Sequence, residues 1–318
     1  MSGSKSAWDV HNLPDNSERT FLVTGGNAGI GYFISEQLAA TGARVLIASR
    51  SADKARLAIE AIHSRLPQAR VDHVPLDLSV SGSVAGIADR LGALSGIDAV
   101  VLNAGVLAQP QYSITEDGNE LVFGTNHLGN FALMERLLPL LVASPGSRVV
   151  TMGSVAARFT KLDLTDLQSS REPYRPMRTY ARSKLAQTVF ALELDRRLRA
   201  ADSHIRSVIA HPGGALDGLT PSRPPLRTRG RAEHLKALPK AVMAQSKENA
   251  AWPAVRAALD PRIDGGELWG PRVLRGFGKP VREKVPAEWL DRDVAAELWQ
   301  QSQRLTGAAW KELDQAAI

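Results

Sequence analysis

Short apolar runs alternate with amphipathic segments from about residue 20 to residue 210. Runs bounded by glycine or polar residues predict buried strands at 20–24, 44–49, 71–76, 97–102, 147–152 and 205–210. The intervening segments carry apolar residues at helical spacing and predict helices at 29–40, 53–66, 79–91, 117–141 and 178–200. Strands that alternate with helices form right-handed crossovers and a parallel sheet. The pattern therefore predicts an α/β fold with one doubly wound parallel sheet and helices on both faces.

Several predicted helices begin near residues that favour capping. Ser79 is a candidate N-cap for the third helix, and Asn249 for a further helix at 250–258. Asp117 and Glu120 resemble a capping box at the start of the long fourth helix. We therefore expect these helices to begin at or just after those residues.

The alternation of predicted strands and helices ends after the sixth predicted strand. Residues 212–246 are rich in glycine, proline and arginine, and long irregular segments of this kind are often lids or binding loops. An edge strand is predicted at 267–269. We expect a polar lead-in at 1–18, one domain over 19–275 that includes this lid, and a C-terminal extension at 276–318.

Composition narrows the class of protein. Hydrophobic residues make up 44% of the chain, which allows a sizeable core without disulfides. The absence of cysteine excludes thiol catalysis, cysteine metal ligands and disulfide bonds. No apolar run approaches the roughly 20 residues needed to span a bilayer, and residues 1–16 contain no hydrophobic signal core. We expect a cytoplasmic enzyme with no integral membrane segment.

The charge balance is basic, with a formal net charge of +6. Such a charge mildly favours anionic ligands, but the cations are spread along the chain. The densest run lies between Arg223 and Lys240, where a solvated surface is favoured over nucleic-acid binding. No His, Asp and Glu cluster has the spacing of metal ligands. We expect no nucleic-acid partner and no metal.

A glycine-rich turn follows the first predicted strand and opens the first helix. It reads Thr24-Gly25-Gly26-Asn27-Ala28-Gly29-Ile30-Gly31, with the spacing G-x-x-x-G-x-G. Glycines let the backbone turn tightly and approach a pyrophosphate at the positive end of a helix. A plain turn between a strand and a helix is the alternative. Position favours a dinucleotide site in a Rossmann-like sheet, with expected contacts at Gly25, Asn27, Ala28, Gly29, Ile30 and Gly31.

Six short motifs together carry a family resemblance. They are TGGNAGIG (24–31), NAG (103–105), NHLG (126–129), GS (153–154), YARSK (180–184) and HPG (211–213). In this order, over about residues 18–215, they resemble the short-chain dehydrogenase/reductase family. The segment 117–141 and the long gap between Ser154 and Tyr180 look like the branch of retinol dehydrogenases and WW-domain oxidoreductases. The resemblance implies hydride transfer between a nicotinamide and a carbonyl/alcohol pair.

The resemblance places the catalytic chemistry at Tyr180, Lys184, Ser154 and Asn126. Carbonyl reduction requires a proton donor at the oxygen, which would be Tyr180. Lys184, one helical turn later, would lower the pKa of Tyr180 and bond the nicotinamide ribose. Ser154 would bond the substrate oxygen, and Asn126 would hold a water connecting Lys184 to solvent. The alternatives are an ordinary exposed pair at Tyr180 and Lys184, and an Asn126 that bonds a backbone break in its helix.

The end of the second predicted strand favours NADP over NAD. NAD sites commonly place an acid there for the ribose 2′-hydroxyl, whereas this chain has Ser49 and Arg50. Arg50 would face a 2′-phosphate with help from Ser49, unless it is only a solvated arginine. Asp77 and Leu78 resemble the family's adenine contact, unless Asp77 only caps the next helix. By resemblance, the other cofactor contacts are Asn103, Ala104, Gly105, Tyr180, Lys184, Pro212 and Gly213.

The predicted substrate pocket lies between residues 155–179 and the lid. Its candidate lining residues are Leu107, Val155, Phe159, Tyr174 and Leu216. Most of them are apolar, so the expected substrate is a small lipophilic ketone, aldehyde or secondary alcohol, although several could merely pack the lid. We expect a monomer or a homodimer.

Two other functions stay open from the sequence. The chain could bind NADP as a sensor or scaffold without turnover, although the intact Ser154, Tyr180 and Lys184 set argues against this. It could also be a sugar-nucleotide epimerase or dehydratase. Those relatives usually have G-x-x-G-x-x-G at the first turn and a larger C-terminal domain, and the glycine spacing here disagrees.

Overall fold

One central sheet organises the residues described by the computed structural model, 8–107, 109–171 and 173–316. Its eight strands lie in the order β3-β2-β1-β4-β5-β6-β7-β8 within this described part of the chain. They are β1 (Thr20–Thr24), β2 (Arg44–Ser49), β3 (Arg70–Pro75), β4 (Ala99–Leu102), β5 (Arg148–Met152), β6 (Arg206–Ala210), β7 (Leu268–Val273) and β8 (Phe277–Glu283). All neighbouring pairs are parallel except β7 and β8. The predicted Rossmann-like sheet is confirmed.

Helices cover both faces of this sheet. They are α1 (Gly29–Ala39), α2 (Ala52–His63), α3 (Ser81–Ala85), α4 (Ile87–Leu91), α5 (Leu121–Phe123), α6 (Gly129–Val142), α7 (Pro176–Ala200), α8 (Arg231–Ala237), α9 (Lys247–Ala250), α10 (Trp252–Leu259), α11 (Arg292–Thr306) and α12 (Lys311–Ala316). Phe21 and Val23 pack with α1, α2 and α10, whereas Leu22 packs with α4, α6 and α7. Alternate strand residues point to opposite faces, so a strand buried on both sides is apolar throughout.

Two predicted helix starts are wrong because the expected capping side chains bond other groups. Ser79 donates its hydroxyl hydrogen bond to Asp77, and α3 begins at Ser81. Asp117 accepts hydrogen bonds from Ser81 and caps no helix there. Glu120 alone caps α5, where its carboxylate accepts from the backbone N–H of Phe123.

Two further predictions about elements need correction. Asn249 does not cap the helix predicted at 250–258, because α10 begins at Trp252 without a side-chain cap. Asn249 lies in α9, which Ser246 caps by accepting from the Asn249 backbone N–H. The strand predicted at 267–269 is β7, but it is not an edge, because β8 pairs with it on the outer side. The long fourth helix also contains a π-helical segment, Gly124–Leu128, between α5 and α6.

The C-terminal residues complete the core. Trp299 of α11 and Trp310 pack against Phe131 and Phe190, with ring centroids between 5.0 and 6.2 Å apart in these contacts. Residues from 276 onward therefore add a strand to the sheet and cover α6 and α7. Residues 1–7 of the predicted lead-in and residues 317–318 lie outside the described part of the chain.

Within the described residues, no helix combines the length and the hydrophobicity that crossing a bilayer requires.

Candidate functional site

The carboxyl ends of the parallel strands bring most of the predicted site residues to one edge of the sheet. The turn after β1 carries the glycine loop, and the turn after β2 carries Arg50. The turns after β4, β5 and β6 carry residues 103–105, Ser154 and residues 212–213. In open parallel sheets, ligands bind at this edge where the strand order reverses, here between β1 and β4.

The glycine loop is held by tight backbone contacts. Gly25 and Gly29 have φ angles of +65° and +58°, a conformation that favours glycine. A side chain on Gly31 would collide with the carbonyl oxygen of Gly25 and with the amide of Asn103. Thr24 Oγ1 accepts from the backbone N–H of Asn103 at 3.0 Å, which joins the loop to β4. The sequence therefore requires glycine at these positions for geometric reasons.

The loop presents an open helix N-terminus. Ala28 precedes α1 in an extended conformation, and no side chain caps the first turn. A Cβ on Gly29 would meet no atom within 4 Å. The space in front is a cavity of about 210 Å³, lined by Ala28, Gly29, Tyr32, Phe33, Thr220, Arg223, Leu226, Arg227 and Lys247. The N–H groups of an open helix N-terminus fit a pyrophosphate, whereas the three cations of this lining are each paired with a carboxylate. Asn27 is buried and Ile30 is half-buried at the same turn.

Arg50 and Asp77 end neighbouring strands and face each other. The Arg50 side chain is 64% exposed, with its Nε 3.9 Å from Asp77 Oδ2. Such a distance leaves the guanidinium available to a second anion. Ser49 is buried, and its hydroxyl lies 3.2 Å from His73 Nε2, so this hydroxyl already has a partner.

Asp77 stabilises a turn, and Leu78 is buried. The Asp77 carboxylate accepts from the backbone N–H and the hydroxyl of Ser79, so it does not cap α3. Leu78 lines a cavity of about 340 Å³ together with residues of α3, α6 and α11. The residues that line this cavity include none of the four predicted catalytic residues.

Tyr180, Ser154 and Lys184 come together where β5 ends beside α7. Ser154 lies near enough to the hydroxyl of Tyr180 to lower its pKa. Lys184 is buried, and its ammonium donates to the carbonyl oxygen of Met152 and to Gln187 Oε1, each at 2.9 Å. The helix therefore places Tyr180 and Lys184 on a buried face, and the alternative of an exposed surface pair is wrong.

Burial dominates the ionisation of these two groups. It raises the pKa of Tyr180 above its ordinary value of 10, while the nearby Ser154 hydroxyl opposes that rise. Burial also lowers the pKa of Lys184 to about 8. The predicted lowering of the Tyr180 pKa by Lys184 is not found: only burial and Ser154 shift this pKa, and the ammonium donates to Met152 and Gln187.

Asn126 lies in the π-helical segment and is fully buried. Its Oδ1 accepts from the backbone N–H of Val106 at 2.7 Å, and its Nδ2 donates to the Val106 carbonyl oxygen and to Ser183. A Cβ on Gly105 would lie 2.9 Å from Asn126 Oδ1 and 3.6 Å from Lys184 Nζ. Asn126 and Lys184 thus both border the Cβ position of Gly105, but the amide of Asn126 bonds the loop after β4.

Residues after β6 are fixed by contacts that the sequence did not indicate. The Pro212 carbonyl oxygen accepts from Gln245 Nε2 at 3.0 Å. Gly213 has a φ of +67°, and its N–H donates to Nδ1 of His211. Glu283, the last residue of β8, binds His211, Arg158 and Arg275. No motif marks Gln245 or Glu283, since both act through residues distant in sequence.

The predicted substrate-lining residues do not all lie in one pocket. Phe159 is 82% exposed, Leu107 is also exposed, and Val155 and Leu216 are half-buried. The Tyr174 hydroxyl donates to Glu120 at 3.2 Å. Tyr174 also lines a cavity of about 230 Å³ beside the start of α7, among residues that include none of the other four. The structure thus separates Tyr174 from them.

Across the described chain, no group of three or more His, Asp or Glu residues is arranged to hold a metal ion.

Comparison with known proteins identifies the family. A family model of short chain dehydrogenases matches residues 19–223. Polyprenol dehydrogenase of Mus musculus is 35% identical over 96% of this chain and 89% of its own length. Retinol dehydrogenase 13 of Homo sapiens is 32% identical over 91% of this chain and 85% of its own length.

Solved structures agree with this assignment. An uncharacterised protein of Mycobacterium paratuberculosis is 33% identical, with a TM-score of 0.76 over 96% of this chain and 99% of that one. RhlG of Pseudomonas aeruginosa, solved with NADP in its active site, is 26% identical, with a TM-score of 0.58 over 80% of this chain and 94% of that one. This chain therefore belongs to the short-chain dehydrogenase family, in the branch of the polyprenol and retinol dehydrogenases and the WW-domain oxidoreductases.

Proposed function

We propose that the protein is an NADP(H)-dependent oxidoreductase that interconverts a carbonyl and an alcohol on a lipophilic substrate, with Tyr180 as general acid and base. The observation that carries this proposal is that Ser154 and the phenol of Tyr180 lie together, beside the buried ammonium of Lys184. These groups lie at the same edge of the sheet as the glycine loop. A proton donor, an orienting hydroxyl and a dinucleotide turn are the parts that carbonyl reduction needs.

Tyr180 would hold the proton that is transferred to the substrate oxygen. Its raised pKa keeps the phenol protonated near neutral pH, which suits a general acid in the direction of reduction. Ser154 lies next to the Tyr180 hydroxyl, so both hydroxyls would bond the same carbonyl oxygen. A bound nicotinamide would supply or accept the hydride.

Lys184 would act next to Tyr180 through its charge. With a pKa of about 8, its amine is mostly protonated at pH 7. Rotation of the ammonium away from Gln187 would let it bond ribose hydroxyls and stabilise a developing phenolate. Asn126 would have a positioning role, because its amide holds the loop at Val106 and Gly105 in front of Lys184.

Arg50 supports NADP over NAD. Its guanidinium is largely exposed at the end of β2, 3.9 Å from the Asp77 carboxylate, where a 2′-phosphate could be bonded. RhlG, a structural relative, was solved with NADP. The expected contacts at Asp77 and Leu78, at 103–105 and at Pro212 and Gly213 stay predictions from the resemblance.

A lipophilic substrate is supported by the relatives and by the surface near the site. Two relatives are named as dehydrogenases of polyprenol and of retinol. Leu107 and Phe159 follow β4 and β5 and are exposed at the same edge of the sheet. We propose a cytoplasmic protein that is a monomer or a homodimer.

The test is a screen of NADPH oxidation with hydrophobic ketones, aldehydes and quinones, with NADH in parallel. We expect turnover with at least one lipophilic carbonyl compound and a preference for NADPH. Binding of NADPH without turnover of any carbonyl or alcohol would favour a sensor. A preference for NADH would contradict the role of Arg50, and conversion of a sugar nucleotide without net NADPH oxidation would favour the epimerase alternative.

A further inference from the structure

A group of large apolar side chains lies exposed on the lid and beside it. We call these residues the apolar rim: Phe159, Leu235, Leu238, Val242, Met243 and Leu274. Their exposures run from 46% to 90%. Single exposed apolar residues are ordinary, but several together mark an interaction surface.

The rim residues lie at the carboxyl edge of the sheet. Phe159 follows β5, and Leu274 follows β7, which runs parallel to β6. The carbonyl oxygen of Met243 lies 2.7 Å from the Cβ position of Gly276, so the end of the lid touches the turn that carries Leu274. Glu283 binds both Arg158 and Arg275, which brings the neighbours of Phe159 and Leu274 to one carboxylate. The rim therefore borders the proposed active site.

The lid presents these side chains outward while its inner face is packed. Ala237 is buried against Gly218, and His234 lies 3.1 Å from the Gly218 carbonyl oxygen. Leu235, Leu238 and Val242 are spaced by three and four residues and are exposed. Spacing of this kind forms one stripe on a helical segment. The segment is therefore amphipathic, but its apolar side faces solvent instead of the protein.

Leu274 occupies a turn position at which leucine is unfavourable for folding. Leu274 and Arg275 have φ angles of +48° and +58° in the turn between β7 and β8. Turns of this geometry prefer Gly, Asn or Asp, because other side chains are strained there. A leucine that is 90% exposed at such a position does not pack in the core, which indicates a contact with another molecule.

Cations flank the apolar stripe. Residues 229–243 contain four cations and one acid, and the acid, Glu233, pairs with Arg227 of the lid. Arg231, Lys236 and Lys240 are exposed, and none of them has an ion pair with any residue in the described ranges. Apolar side chains flanked by unpaired Lys and Arg match the surface of an anionic lipid bilayer. A protein partner that carries both signs of charge would not require this excess of positive over negative charge.

We propose that the apolar rim docks the protein on anionic lipid membranes, with the active-site edge of the sheet facing the bilayer. The apolar side chains would enter the boundary between headgroups and acyl chains, and Arg231, Lys236 and Lys240 would contact lipid phosphates. This goes beyond the proposed reaction and does not depend on it. It would give a lipophilic substrate a direct path from the membrane.

The test is flotation of the full chain with vesicles of phosphatidylcholine alone and with vesicles that also contain phosphatidylglycerol. We expect binding to the anionic vesicles, little binding to the neutral ones, and weaker binding at high salt. Lys236→Gln with Lys240→Gln should lower partitioning by about tenfold or more. Leu238→Ser with Val242→Ser and Met243→Ser should have at least as large an effect.

Matched variants lie away from the rim. Val142→Ser with Leu305→Ser removes exposed apolar groups elsewhere, and Lys54→Gln with Lys311→Gln removes exposed cations elsewhere; both should float like the unmodified protein. Thermal unfolding checks that every variant is folded. Tyr180→Phe should lose turnover and keep flotation, so failure of the docking proposal and of the proposed reaction can be told apart.

A second measurement does not depend on the lid variants. Because the chain has no cysteine, Met243→Cys can be labelled with a polarity-sensitive dye, with Val142→Cys as the control. We expect a blue shift with anionic vesicles for the label at Met243 only. Equal behaviour of both labels, no flotation with anionic vesicles, or a dimer that the rim variants convert to a monomer would each overturn the proposal.

Discussion

Nε2 of His211 lies 2.7 Å from Oε1 of Glu283, which joins the residue after β6 to the last residue of β8. Nδ1 of the same ring accepts from the backbone N–H of Gly213, so the hydrogen-bond network assigns the proton to Nε2. The other carboxylate oxygen of Glu283 binds Arg158 and Arg275. One buried carboxylate thus fixes the loops that follow β5, β6 and β7.

Glu283→Gln should lower the free energy of unfolding by about 3 kcal/mol, because Arg158 is left partly buried without its charge partner. Burial opposes ionisation of Glu283, but hydrogen bonds from His211 and Arg275 and the charge of Arg158 bring its pKa below the ordinary value of 4.5. The stabilisation by Glu283 is therefore fully present above pH 4.5 and is lost as the pH falls through the lowered pKa of this carboxylate. Denaturant titration across this range measures it.

Glu288→Gln is the control for this prediction, because Glu288 is exposed on a neighbouring turn. We expect a change within about 0.5 kcal/mol for this variant. Equal effects of the two substitutions would show that Glu283 has no special structural role.

Gly31→Ala and Gly29→Ala should differ although both alter the glycine loop. A methyl group on Gly31 collides with Gly25 and Asn103, whereas one on Gly29 meets open space and suffers only from the φ of +58°. We expect Gly29→Ala to cost about 1–2 kcal/mol, and Gly31→Ala to cost more and to abolish NADPH binding. Thermal unfolding and NADPH fluorescence titration test this. Gly31→Ala with normal NADPH affinity would contradict the described loop.

The sheet and the site edge could be predicted from sequence because they depend on local patterns. Apolar runs such as Val45–Ala48 are buried on both faces, so their hydrophobicity marks the strand directly. Helix caps were less predictable, because Asp117 pairs with Ser81 across space and leaves Glu120 as the cap. A short-range pattern does not contain that partner.

The last strand shows the same limit. The sequence of β8 contains Pro280, mixes charged with apolar residues without a regular alternation and lies at an edge, so no buried run marks it. Glu283 of this strand nevertheless fixes the loop after β6 through its hydrogen bond with His211. The role of Asn126 also depends on a distant partner, since only the fold brings Val106 to its amide.

Lys184→Met should change the pH dependence of stability. Burial lowers the pKa of Lys184 from 10.5 to about 8 in the folded state, so the unfolded chain binds more protons between these values. Stability of the unmodified protein should therefore rise with pH across this window, by up to about 3 kcal/mol relative to the variant. Denaturant titrations of both proteins at several pH values measure the difference. A constant difference would exclude a shifted Lys184.

Arg50→Gln should weaken NADPH selectively. The guanidinium is proposed to bond the 2′-phosphate, and a charge-assisted hydrogen bond contributes about 1.5–3 kcal/mol. We expect the KM for NADPH to rise by about tenfold to a hundredfold, with little change for NADH. Arg56→Gln, on the exposed side of α2, is the control. An equal loss with both cofactors would indicate a general effect on the site.

The central claim is that the phenol of Tyr180 transfers a proton while the rest of the site binds the cofactor. The most direct measurement is single-turnover NADPH oxidation by Tyr180→Phe with the best carbonyl substrate, beside NADPH affinity from fluorescence titration. The account predicts a rate lower by about a hundredfold or more, with NADPH affinity within about twofold of the unmodified protein. A variant that oxidises NADPH at the unmodified rate would contradict it.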